Sequence, residues 1–182
     1  PDATAPPAAP KLNMSDVRLP AEKDWTGRAT TPVKDQHACG SCWAFSATEQ
    51  IESDLILQHG VTKILAPQEM VDCTGSEGER KGCEGGDPSA GCGVIEQLGG
   101  IELEKDYPYV TWAKDASEKC TFSRRKTVVT VTDHSHVGKH DENEMQNYVG
   151  TTGPLSVCLY AKTWQDYPGG IMKSCPSQKG TD

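Results

Sequence analysis

The sequence is poor in aromatic side chains and in long apolar runs. It contains two Phe, aromatics make up 6% of its 182 residues, and its mean hydropathy is −0.58. No apolar stretch approaches the ~20 residues that a membrane span needs, so no membrane partner is expected. Basic residues are also in the minority. The 18 Lys and Arg stand against 26 Asp and Glu, giving a net charge of −8. That balance argues against a nucleic-acid footprint and suits an acidic or extracellular setting. No secretory signal sequence is visible, so any targeting segment is expected to be removed or to lie outside these residues. The length fits one domain or two small lobes around a core lean in aromatics.

Cysteine, by contrast, is plentiful. Eight in 182 residues suggest an oxidising compartment, and the sequon at Asn13-Met14-Ser15 is a glycosylation candidate compatible with secretory passage. The first ten positions hold four Pro and four Ala, too little to build a core, so residues 1–14 read as a linker. Helix signals follow at 42–59 and, more weakly, at 67–73. A third candidate runs from Asp87 as N-cap and Pro88 in the first turn to Gly99, with Ala90, Val94 and Leu98 on one face and Gly91 and Gly93 against it. A fourth starts at Asp141, has Glu144 three residues on in a capping-box-like pattern, and ends at Gly150. Strand signals occupy 127–132 and 155–161. Helices first and strands last read as an α+β fold. The charged run 77–81 reads as a solvated loop, and Cys92 and Cys158 read as buried small hydrophobes.

Residues 36 to 46, Gln-His-Ala-Cys-Gly-Ser-Cys-Trp-Ala-Phe-Ser, carry the chemistry. After Cys42 the apolar positions Ala44, Ala47, Ile51 and Leu55 recur every three or four residues until Gly60, which places the Cys42 thiol at a helix N-terminus. Unpaired N–H groups and the positive dipole end there favour the thiolate, the nucleophilic form. Gln36, six residues upstream, is placed to donate to a developing oxyanion. A redox dithiol at Cys39 and Cys42 is the weaker reading, because the chain has no βαβ pattern and Trp43 follows the pair. A zinc site from Cys39, Cys42, Cys73 and Cys83 is weaker still, because the second pair is too widely spaced.

Cys39-Gly-Ser-Cys42-Trp43 matches the signature around the nucleophile of papain and the cathepsins, and the chain resembles the papain-like cysteine peptidases from about Leu19 to Asp182. The resemblance rests on further motifs in the same order. They are Pro32-Val33-Lys34-Asp35-Gln36, Gln68-Glu69-Met70-Val71-Asp72-Cys73, Gly82-Cys83-Glu84-Gly85-Gly86, Tyr107-Pro108-Tyr109, Gly153-Pro154-Leu155-Ser156-Val157 and Gly169-Gly170-Ile171. It implies a two-lobe papain-like fold, with a complete helical lobe and a truncated β-barrel-like lobe. Residues 1–18 would be the propeptide junction, 19–135 the mostly helical lobe (19–26 crossing to the other), and 136–182 the incomplete barrel lobe. It also implies disulfides Cys39–Cys83 and Cys73–Cys120, an unpaired Cys175, and no metal or organic cofactor. Substrate would pair with Gly85 and Gly86, while Asp87 and Cys158 would face the specificity pocket. Protein or peptide substrates, the chain's own propeptide and cystatin-like inhibitors are the implied partners. The implied location is lysosomal, vacuolar or secreted.

The mechanism needs an imidazole beside the thiol, which in this family lies roughly 130–150 residues further on with an orienting Asn. Asp182 resembles the residue that precedes that His. The expectation is therefore a thioester-forming endopeptidase represented here without its base and inactive alone, with a naturally truncated, non-catalytic binding protein as the alternative. The histidines present are poor substitutes. His59 lies near the far end of the helix, about 25 Å from Cys42 at 1.5 Å per residue. His134, His136 and His140 are expected to be solvated. His37 stands near Cys42, at a position that is commonly Gly in the family.

Overall fold

The computed structural model describes residues 19–74, 82–110, 119–138, 141–159, 161–164 and 167–172. The linker with Asn13, the 77–81 loop, His140, Cys175 and Asp182 lie outside the described residues. Four α-helices carry the architecture: α1 (Cys42–His59), α2 (Pro67–Cys73), α3 (Pro88–Leu98) and α4 (Glu142–Thr151), with 3₁₀ turns at Arg124–Lys126 and Ala161–Trp164.

The ends of these helices follow local chemistry. Gly60 ends α1 in the left-handed conformation, its N–H donating to Ile56 O, and Gly99 ends α3 in the same way. A Cβ there costs energy that glycine avoids. The Asp87 side chain accepts from Ser89 N at 2.7 Å and Pro88 fills the first turn of α3. At α4, Asp141 Oδ1 accepts from Glu144 N at 2.9 Å, but Glu144 returns its carboxylate to Gly138 N at 2.8 Å. Only half of a capping box is therefore formed. The helix runs one residue past Gly150, to Thr151.

Helices α1, α2 and α3 enclose one core of Trp43, Ala44, Ala47, Ile51, Leu65, Met70, Val71, Ile95 and Ile101. Gly91, unfavourable for a helix taken alone, is closely packed here. A Cβ there would sit 3.2 Å from Met70 Sδ and 3.3 Å from the Trp43 ring. Large-to-small substitution at a fully buried site such as Met70 costs about 2–5 kcal/mol.

The strand expectations are corrected. Among the described residues no strand is formed, only the isolated bridges Gly40↔Glu84, Leu65↔Leu103 and Ile101↔Val129. Val129 holds its one bridge through Ile101 N→Val129 O at 2.9 Å and Val128 N→Ile101 O at 3.0 Å. Residues 155–159 find side-chain partners instead of a ladder. Ser156 N donates to Gln50 Oε1 at 2.9 Å, and Gln50 Nε2 donates to Pro154 O at 3.3 Å. Periodicity proposes strands, but only a neighbouring strand completes them. The segment from residue 19 reaches α4, where Trp25 Nε1 donates to Val149 O at 2.7 Å.

Polar groups penetrate this core. Glu52, fully buried, accepts from Lys34 Nζ at 2.6 Å and from Leu65 N at 2.7 Å. Glu69 and Glu102, 0% and 1% exposed, are less fully satisfied. Glu69 Oε2 accepts from Glu102 N at 2.8 Å, whereas Glu69 Oε1 and Glu102 Oε2 are buried without a hydrogen bond. Burial first, and then the nearby Glu102 charge, push the Glu69 carboxyl up to about 7.

A carboxyl raised in the folded state binds more protons there than when unfolded. Stability from this group is therefore present below its unfolded value, 4.5, and declines as pH rises through about 7. Urea unfolding should show the wild-type chain losing up to ~3 kcal/mol between about pH 5 and 8 from this group. Glu69→Gln should flatten the profile. An unchanged slope in the variant would assign the dependence to other groups.

Candidate active site

Cys42 is the first residue of α1, and its thiol is free and exposed. Cys39, three residues earlier, is bonded to Cys83, and Cys73 is bonded to Cys120. A Cys39–Cys42 dithiol is thereby ruled out in this state, and no group of three or more metal-binding side chains forms among the described residues.

The Cys39–Cys83 link is part of a broader seam. Gly40 N donates to Cys83 O at 2.9 Å, and a Cβ on Gly40 would lie 2.2 Å from that oxygen, so only glycine allows the approach. Trp43, 2% exposed, donates from Nε1 to Gly82 O at 3.1 Å. The face of its ring lies against Gly86, where a Cβ would fall 2.6 Å from Cδ2. Gly85 takes φ 108, a region that L side chains rarely adopt. The loop 82–86 is thus fixed against the start of α1, with Gly85 and Gly86 beside that helix.

Gln36 Nε2 donates to Cys39 O at 2.8 Å. The side-chain amide carries a second N–H, so one donor remains for another acceptor. A residue that sequence reasoning gave no role supports this turn. The Tyr109 hydroxyl donates to Gln36 O at 3.0 Å and lies 2.6 Å from Ser41 Oγ, while its ring meets Phe45 edge-on at 4.8 Å. One phenol therefore ties together the oxyanion candidate, the residue preceding Cys42, and the first turn of α1. Burial chiefly pushes the Tyr109 hydroxyl above the usual phenol pKa; the Ser41 hydrogen bond opposes that effect and the Asp35 charge adds to it. The Tyr-Pro-Tyr motif drew attention to this segment, but spacing alone could not show where the hydroxyl points.

His37 has φ 53, which explains why this turn suits glycine. Its N donates to Asp35 Oδ1 at 2.7 Å, and its ring Nδ1 lies 3.4 Å from Asp35 Oδ2. Asp87 is exposed and serves as the α3 cap. Cys158 is exposed rather than buried, because no strand covers 155–159 among the described residues. Partial burial, then the Asp87 charge, then the Cys42 charge raise its thiol above the usual range, so the three groups share one electrostatic neighbourhood. Cys92 is half-buried; burial, aided by Glu96, Asp54 and Asp87, pushes it up to about 11. His134 and His136 both meet Ser89; His136 is exposed, as expected, whereas His134 is half-buried.

A free thiol at a helix start, a side-chain amide six residues before it and a glycine loop cross-linked beside it are arranged as a thiol peptidase would require. Comparison with known proteins agrees. The profile of the papain family cysteine proteases matches residues 19–182, and the chain belongs to that family. It is 35% identical over 161 residues to the viral cathepsin of Heliothis zea nuclear polyhedrosis virus, covering 88% of this chain and 42% of that protein. It is 36% identical over 163 residues to cathepsin L1 of Drosophila melanogaster, covering 88% and 43%. The solved structure of digestive procathepsin L 3 from Tenebrio molitor larval midgut superposes with a TM-score of 0.70 at 34% identity, covering 80% of this chain and 46% of that one. The chain thus spans less than half the length of these relatives. No helix among the described residues is long and apolar enough to cross a membrane.

The Trp43–Gly86 contact gives a direct test of the seam. Gly86→Ala should lower the unfolding free energy by about 1–3 kcal/mol, since a buried indole cannot withdraw cheaply. Equal denaturation midpoints for the two proteins would show that the ring yields and that the seam is loose.

Proposed function

We propose that the protein is a cysteine endopeptidase in which Cys42 attacks the scissile carbonyl and forms a thioester acyl-enzyme. The observation that carries this reading is the state of the two neighbouring cysteines. Cys39 is locked to Cys83, while Cys42 stands free and exposed on the first turn of α1. Gln36 and the Cys42 backbone N–H are the proposed oxyanion donors, in keeping with the known value of preorganised amides at such sites. Gly85 and Gly86 would pair with an extended substrate through their backbone. Asp87 and Cys158 would border the pocket for a neighbouring substrate residue. Two disulfides suit a lysosomal, vacuolar or extracellular location, and the procathepsin likeness suggests control by a propeptide.

We also propose that these 182 residues do not turn over peptides alone. His134 and His136 are engaged at Ser89, His37 pairs with Asp35, and His59 ends the helix that Cys42 begins. Alkylation of Cys42 by iodoacetamide should therefore be far slower near pH 5 than in mildly alkaline solution, because the thiolate is the reacting form and no imidazole holds it ionised. Fast labelling near pH 5, lost in His37→Gln, would identify His37 as a local base and contradict the proposed inactivity.

A further inference from the structure

We propose that Ser89, His134 and Glu96 form a second nucleophilic site, which takes small reactive carboxylic esters. Ser89 lies in the first turn of α3, two residues beyond Asp87. Its Oγ is 2.9 Å from His134 Nε2, and His134 Nδ1 is 2.6 Å from Glu96 Oε1. A second imidazole converges on the same oxygen, His136 Nε2 at 2.7 Å, with the two rings edge to face at 5.9 Å.

A carboxylate only accepts, so His134 Nδ1 carries a proton, and in the neutral tautomer that the proposed reaction uses, Nε2 is a bare acceptor. The single Ser89 hydroxyl proton then points at His134, which leaves His136 Nε2 as the donor of the second contact. This is the serine–histidine–carboxylate relation of a general-base-activated hydroxyl. His136 adds a donor that steadies charge as it develops on Oγ. Side chains at 21% exposure for His134 and 25% for Glu96 keep the relay partly sheltered from water, yet close enough to the surface for a small ligand to reach Ser89.

In the reaction, Ser89 Oγ bonds to the acyl carbon as its proton passes to His134 Nε2. The bond to the leaving alcohol breaks as that proton moves onto the departing oxygen. Water then attacks the acyl-serine with His134 again taking the proton, and releases the carboxylic acid and the serine. The sum is ester plus water to acid plus alcohol. The Ser89 N–H is already taken by Asp87, so the Ala90 N–H, one of the first-turn amides that helix geometry leaves unpaired, is the nearest backbone donor for the oxyanion. One such donor supports acylation better than rapid turnover. Ser89 and His134 are the catalytic residues, and Glu96 is a positioning residue.

The test uses the whole chain with Cys42 first blocked by iodoacetamide. A fluorophosphonate probe is added, and the modified residue is located by peptide mass spectrometry. The adduct should appear on Ser89 and be absent when the chain is unfolded in urea. His134→Gln should slow labelling on the order of 10²-fold or more, and Glu96→Gln by a smaller factor. In the unsubstituted chain the rate should fall in acid, where a protonated His134 could not accept the Ser89 proton. The titratable groups facing His134 are Glu96 from α3 and Asp133 and His136 from its own segment. No Ser89 adduct, a rate unaffected by His134→Gln, or a flat pH profile would each overturn the proposal.

Discussion

The proposed site depends on one close approach between backbones. Residues 39–41 run against residues 82–86, and the contact is so tight that Gly40 cannot carry a side chain. The Cys39–Cys83 bond fixes the approach covalently, and closing a loop of this size is worth roughly 4 kcal/mol in the chain-entropy account. Trp43 then uses it. With its ring against Gly86 and its N–H on Gly82 O, it converts a loop into a wall of the core. The position of Cys42 follows, because the residue between the cross-linked cysteine and the buried tryptophan has little freedom to move.

Around this seam the molecule spends polar groups in unusual places. Glu52, Glu69 and Glu102 are buried among helices that a purely apolar core could also have joined. Glu52 has Lys34 to balance it, which anchors the stretch leading to Gln36. Glu102 has Lys126 at 3.9 Å, and the Glu102 charge disfavours that of Glu69. Burial favours the protonated form of the Glu69 carboxyl, which makes the stability of this part of the core depend on pH. Tyr109 extends the same logic to the site, because its hydroxyl secures both Gln36 and Ser41 where an apolar ring would secure neither.

Much of this was legible from residues. The 3.6-residue spacing of Ala44, Ala47 and Ile51 marked the buried face of α1, and Asp87-Pro88 and Gly99 marked the bounds of α3, because capping depends on chemistry within a few residues. The start of α1 at Cys42 was legible for the same reason. What spacing could not give were contacts between distant segments. The strand signals at 127–132 and 155–161 described side chains suited to a sheet, but a strand exists only through its neighbour. His134 and His136 looked like members of a polar connection, because nothing local shows that Ser89, some 45 residues earlier, meets them. Gly91 weakened the helix signal, and only the structure shows Met70 and Trp43 crowding the place where a side chain would start.

The central claim, a free Cys42 beside a locked Cys39, is most directly tested by peptide mapping of the chain without reduction, after brief alkylation in native conditions. The account predicts peptides joined through Cys39 and Cys83 and through Cys73 and Cys120, with the alkyl group on Cys42. A Cys39–Cys42 bridge as the main species, with Cys83 alkylated, would contradict it and return the pair to redox chemistry.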